Sequence, residues 1–101
     1  MKYAIPTDDN ATVGKVFGRA KSFAIYDSSD SSRGILTNEG EGAEHGAGTG
    51  AAAFLAKNGV AVILSPEIGP KAADALKAVG IRIESAQAGI ALDAAMAAVG
   101  F

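Results

Sequence analysis

Apolar positions along this chain fall into two regimes. Up to about residue 37 they form short β-rich runs broken by turn residues, and from Ala47 onward helical and strand-like spacings alternate. Residues 2–5 predict a buried strand, stopped by Pro6 and by the turn-forming run Thr7-Asp8-Asp9-Asn10. A loop follows to about Ala20. Residues 22–26 and 34–37, separated by a polar turn over 27–32, predict an antiparallel hairpin.

After a Gly/Glu connection, the pattern predicts a helix from Ala47 to about Asn58 with Gly59 as its cap. Val60-Ala61-Val62-Ile63-Leu64 then reads as a strand buried on both faces. Gly69-Pro70 opens a second helix, with proline at a first-turn position where its missing N–H is no loss. Ala72, Ala73, Leu76 and Val79 mark that helix's inner side and Gly80 its end. Residues 81–83 form another strand. A last helix runs from about 90 to 99, with Leu92, Met96 and Val99 spaced as core positions. The order β β β α β α β α, a meander followed by two α–β units with right-handed crossovers, predicts an α/β fold. It is a three-layer α/β/α sandwich around a five-stranded mixed sheet with one antiparallel strand, the ribonuclease H-like arrangement.

At 101 residues, 49% hydrophobic and 20% charged, the sequence suits one globular domain over 1–101 that buries about two-thirds of its unfolded surface. A formal net charge of −2 with scattered Lys and Arg argues against nucleic acid as a partner. The N-terminal apolar stretch is too short for a signal peptide, and no run approaches the ~20 apolar residues of a membrane span. A cytoplasmic location is the default expectation, with a monomer as the plainer state. The absence of cysteine removes disulfides and thiolate ligands, so any metal must be held by His, carboxylate or backbone oxygen.

The candidate chemistry concentrates at Glu44-His45-Gly46-Ala47-Gly48-Thr49-Gly50, where the chain's one histidine heads a glycine-rich run leading into the first helix. Glycines permit close backbone approach to a ligand, and the helix start presents unpaired N–H groups and partial positive charge to an anion. His45 at that mouth is a candidate metal ligand. The plainer alternatives are a loop histidine without a ligand and glycines that serve only the tight loop–helix junction. Gly48, Gly50 and Ala53 satisfy a degenerate G-x-G-x-x-A pattern, but no strand precedes it and Glu39, Glu41 and Glu44 would repel a pyrophosphate.

Elsewhere, Phe17-Gly18-Arg19 in the first long loop offers an aromatic and a fixed cation to a ligand. Phe17 could equally pin the loop to the core, and Arg19 could pair with Asp8 or Asp27. Asp8, Asp9 and Glu67 follow predicted strands and could gather at one sheet edge to hold Mg²⁺, although Asp8-Asp9-Asn10 is also ordinary turn chemistry. No serine stands on a strand-to-helix elbow, so Ser-His-Asp hydrolysis is not indicated.

Lys2-Tyr3-Ala4-Ile5-Pro6-Thr7-Asp8-Asp9, the stretch from Phe17-Gly18-Arg19 to Asp27, His45-Gly46-Ala47-Gly48-Thr49-Gly50 and Ile68-Gly69-Pro70-Lys71-Ala72 closely resemble, in order and spacing, the dinitrogenase iron–molybdenum cofactor biosynthesis family. The resemblance implies a small ribonuclease H-like accessory domain in nitrogen fixation chemistry. It would be a non-enzymatic protein that binds or carries a molybdenum- or iron-containing sulfur cluster or its precursor, with cofactor-assembly proteins as partners. On this chain the binding positions would be Phe17, Gly18, Arg19, His45, Gly46, Gly48, Thr49 and Gly50. His45 would be the direct metal ligand, backbone N–H groups near Gly48 to Gly50 the anion donors, and Arg19 a charge partner. Family members often carry His immediately before Phe-Gly; here that residue is Val16. A regulatory or protein-interaction module that has kept the fold and lost the cluster is the alternative expectation.

Overall fold

The computed structural model describes residues 1–38 and 47–101, and the structural statements below concern those residues. They form β1 (Lys2–Thr7), β2 (Ser22–Asp27), β3 (Ser32–Thr37), α1 (Ala47–Lys57), β4 (Val60–Ser65), α2 (Pro70–Ala78), β5 (Arg82–Ser85) and α3 (Leu92–Ala97). The sheet has the order β3-β2-β1-β4-β5. β2 runs antiparallel to both neighbours, whereas β4 is parallel to β1 and to β5. This is the mixed sheet expected from the sequence, with β2 as the antiparallel strand among those described.

Strand alternation assigns each side chain to one of two cores. Ala4, Phe23, Ile63 and Ile81 join Ala51, Ala52 and Leu55 of α1 and Leu76 of α2 on one face. Ile5, Ala24, Tyr26, Val62 and Leu64 meet Leu92, Ala95 and Met96 of α3 on the other. The three layers follow because β1, β2 and β4 are apolar on both faces and must be covered twice. Val60 and Ile63 share the α1/α2 face despite their odd spacing. The register passes from Lys2↔Val60 to Tyr3↔Val62, so Ala61 is taken up as an irregularity that resets the alternation.

Several boundaries differ from those read in the sequence. β1 does not stop at Pro6 but continues to Thr7, with Pro6 opposite Phe23. The reason is the direction of Pro6's main-chain groups. Its carbonyl accepts from Gly14 N at 2.7 Å, away from β2, and the parallel ladder to β4 ends at Ala4↔Ile63, so no ladder bond needs the missing N–H. β3 begins at Ser32, earlier than expected, after a turn in which Ser31 adopts φ 58°. β4 extends to Ser65, and β5 is shifted to Arg82–Ser85 with Ile81 buried just before it.

α2 ends at Ala78, which leaves Val79 at the C-cap and 45% exposed rather than on the inner side. α3 is shorter than the expected 90–99. Ala91 is extended and bridged to Thr12, and Leu92 N donates to Ala11 O, so the helix starts only once that pairing is complete. Val99 lies beyond it and is exposed, and Ala95 fills the core position instead. The chain end folds back: Phe101 N donates to Met96 O, and the Phe101 ring stands edge-on to Tyr26 at 5.2 Å. Tyr26 OH donates to Asp93 at 3.0 Å; burial, then that acceptor, pushes the phenol above its ordinary pKa. No helix among the described residues is long and apolar enough to cross a membrane.

The long β1–β2 loop is sewn to the β5–α3 connection by Val13 N to Ile90 O and Gly89 N to Val13 O. Gly14 is where this loop passes closest to β1. A Cβ there would lie 3.3 Å from Pro6 O and 3.4 Å from Thr7 Cα, both backbone atoms of a central strand with little freedom to yield. Gly14→Ala is therefore expected to destabilise the fold by about 1–3 kcal/mol. Urea unfolding measures this; a loss below a few tenths would show that the loop lifts off without cost.

Candidate functional site

The β1–β2 loop begins with a carboxylate consumed by its own backbone. Asp9 Oδ1 accepts from Ala11 N at 2.9 Å and Thr12 N at 2.8 Å, and its Oδ2 accepts from the Thr12 hydroxyl at 2.8 Å. Thr7, fully buried, donates to Asp9 and accepts from Asn10 N, and Asn10 takes up φ 61°. Hydrogen bonds to the charged form, first from Ala11 N and then from Thr12, lower the Asp9 pKa from 3.8 to about 2. Asp8 accepts from Lys21 N at 3.0 Å. A metal at Asp9 would have to dismantle the turn, and no group of three His, Cys, Asp or Glu able to hold a metal occurs among the described residues. Asp8-Asp9-Asn10 is thus turn chemistry, and Glu67 lines a separate cleft.

The loop's second half presents the Phe17-Gly18-Arg19 segment. Phe17 is 3% exposed, its ring 5.6 Å from that of Phe23, and it belongs to the same buried cluster as Ala51 and Ala52 of α1. Gly18 and Ala20 are buried, while Val16 and Arg19 on either side of Phe17-Gly18 are exposed. Arg19 makes no ion pair with a described residue. Asp8 is held by Lys21 N, and Asp27 accepts from the amide and hydroxyl of Ser29. Those bonds, the Ser29 hydroxyl first, hold the Asp27 carboxyl below its usual range. Arg19 is in this way an exposed cation on a segment whose flanks are fixed in the core.

A residue that sequence reasoning passed over fixes this segment. Asn38, 4% exposed at the end of β3, donates through Nδ2 to Gly18 O at 3.1 Å and Ala20 O at 2.9 Å, and its N donates to Lys21 O. An asparagine after a strand reads as a turn residue, and nothing local marks it as a clasp reaching back about twenty positions.

On the α1 side, the helix starts at Ala47 and its first turn contains Gly48, Thr49 and Gly50 with no acidic residue. Thr49 is exposed, Gly50 is half-buried, and Ala51 and Ala52 are in the core that also holds Phe17. Phe17 thus shares one buried cluster with Ala51 and Ala52 in the first half of α1. His45 and Gly46, with residues 39–44, lie outside the described residues.

Two stability measurements test this construction. Because the folded pKa of Asp9 lies below its unfolded value, the ionised carboxylate stabilises the fold above about pH 4, and that contribution is lost as pH falls toward 2. The stability gap between the parent and Asp9→Asn is expected to close over this range. A gap independent of pH would contradict the assigned hydrogen bonds. Asn38→Ala leaves the buried Gly18 and Ala20 carbonyls without their donor and is expected to lower stability by about 1–3 kcal/mol, with faster amide exchange over residues 17–21.

Comparison with known proteins places this geometry in context. The family described as dinitrogenase iron-molybdenum cofactor matches residues 1–100. An uncharacterized protein of Methanocaldococcus jannaschii is 35% identical over 89 residues, spanning 85% of this chain and 75% of its own. The apo form of the orange protein from Desulfovibrio gigas is similar with a TM-score of 0.88 and 31% identity, over 97% of this chain and 85% of that one. A putative NifB protein from Thermotoga gives 0.80 and 27%, with coverage of 97% and 85%.

Proposed function

Because this chain belongs to the dinitrogenase iron–molybdenum cofactor family, we propose that it is a non-catalytic accessory protein. It holds an iron–molybdenum or other metal–sulfur cluster, or a precursor, between the Phe17-Gly18-Arg19 segment and the start of α1. The observation that carries this reading is the packing of Phe17 in one buried cluster with Ala51 and Ala52, while Arg19 beside it stays exposed without an ion pair among described residues. A thiometallate is anionic and bulky. The first-turn N–H groups near Gly48 to Gly50 and the helix dipole would hold its charge, worth roughly 0.3–1 kcal/mol and ~2 if partly buried, with His45 as the direct ligand. Arg19 would pair with its outer face. Cofactor-assembly proteins are the natural partners of such a carrier, acting with a monomer in the cytoplasm.

Val16 gives a second reading some support. Val16, at the position where the family resemblance would often place a histidine, is an apolar side chain, 55% exposed, which suits a protein-interaction module that has lost the cluster. One titration separates the two. Thiomolybdate added to the ¹⁵N-labelled protein is expected to shift amides within residues 14–20 and 45–51, with binding weakened by His45→Ala and tightened by Val16→His. Arg19→Ala should weaken it by up to about fivefold, the value of an exposed ion pair. Shifts scattered elsewhere would sink the pocket, and binding by Val16→His alone would favour the interaction module.

A further inference from the structure

Ser65, the last residue of β4, is 2% exposed, and its hydroxyl has no hydrogen-bond partner among the described residues. The other two buried polar side chains described, Thr7 and Asn38, are bonded. Ser65's own carbonyl accepts from Ala86 N at 3.0 Å, so its backbone is satisfied and only the hydroxyl is left over. Native folds seldom leave such a group unpaired, and where they do, a ligand is one explanation.

The surroundings supply the rest of a site. Ser65 pairs in register with Ser85, two residues beyond Ile63↔Ile83, so both hydroxyl-bearing residues fall on the α1/α2 face at the carboxyl ends of β4 and β5. They line a cleft of about 560 Å³ whose walls include the apolar Pro66, Ile68 and Ile83, with Glu67 exposed beside them. The size is that of a small-molecule pocket, and its place outside the strand ends is where open α/β sheets bind ligands. No basic residue among those described lines this cleft. Its neighbour, which shares Ala88 with it, is lined by Asp8 and Asp9 against a single Lys15.

We propose that this cleft binds a small organic cation of the amino-alcohol class, with Glu67 facing the ammonium, Ser65 bonding the hydroxyl and the apolar body lying against Ile68 and Ile83. The acidic edge disfavours an anion and so separates this site from the one proposed above, on which it does not depend. Ser65 Oγ is itself buried. Rotation about χ1 to another staggered position, open to so small a side chain, is the change that would deliver it.

Leucinol, which carries an ammonium, a hydroxyl and a branched apolar body, is the probe. Isoamylamine lacks its hydroxyl, and isovalerate replaces the cation with an anion. In ¹⁵N spectra of the full chain, leucinol is expected to shift the amides of residues 65, 67–68 and 85–88. It should bind about tenfold tighter than isoamylamine, the change typical of one buried hydrogen bond. Ser65→Ala should erase that difference while melting no lower than the parent, because the hydroxyl it removes has no partner among the described residues. Glu67→Gln should weaken both amines. The proposal is overturned if leucinol shifts nothing at tens of millimolar, if Ser65→Ala leaves the preference for leucinol intact, or if isovalerate binds more tightly than either amine.

Discussion

The parallel ladder between β1 and β4 ends at Ala4 and Ile63, and the main-chain groups of β1 beyond that point must be satisfied by something other than a strand. The β1–β2 loop meets this need. Gly14 N reaches Pro6 O, Asp9 ties the turn that aims the loop, and Val13 and Thr12 pair with the connection that starts α3. One opening in the sheet thereby sets the path of the loop, the first residue of the last helix and the placing of Phe17 beneath α1. A proline, a glycine and an aspartate do this with backbone hydrogen bonds, and the two hydrophobic cores are left to hold the layers together.

The same edge divides electrically. Among the described residues on the α1 side, the first turn of α1 carries no acidic residue and Arg19 is exposed, an arrangement that attracts negative charge. Around the carboxyl ends of β4 and β5, Glu67 and the nearby Asp8 and Asp9 favour positive charge. Two anchors keep the first region in shape without occupying it: Phe17 from below and Asn38 from the side. Binding there would therefore demand little reorganisation of the described loop, which lowers the ordering cost of capture.

The architecture could be read from the sequence because periodicity follows from coverage: strands buried on both faces are apolar without interruption, and helices covering them carry a stripe. Pro6 departs from its sequence expectation because a proline's effect depends on which way its missing N–H would have pointed, a fact set by Gly14 and β4 and not by its neighbours in sequence. The start of α3 differs from expectation for a related reason, since Ala91 is helix-prone in isolation and is extended here, bridged to Thr12. Within the candidate site, the burial of Phe17 is one of the two roles the sequence leaves open to it, and Arg19 makes no ion pair with Asp8, Asp27 or any other described residue. Asn38 and the Ser65 hydroxyl were not legible, since a clasp and an orphaned donor exist only once distant segments meet.

Both tyrosines of this tryptophan-free chain lie on one side of the sheet. Tyr26 is in the α3 core, bonded to Asp93 and backed by Phe101, and Tyr3 packs against the same cluster. Intrinsic emission from the protein is consequently a one-sided optical gauge. It will register the undocking of α3 or of the chain end and stay dark to events at the start of α1, where the nearby aromatic, Phe17, gives almost no signal. With a ligand that does not absorb where tyrosine emits, unchanged fluorescence would report that the α3 layer stayed in place, and nothing about whether the mouth of α1 was filled.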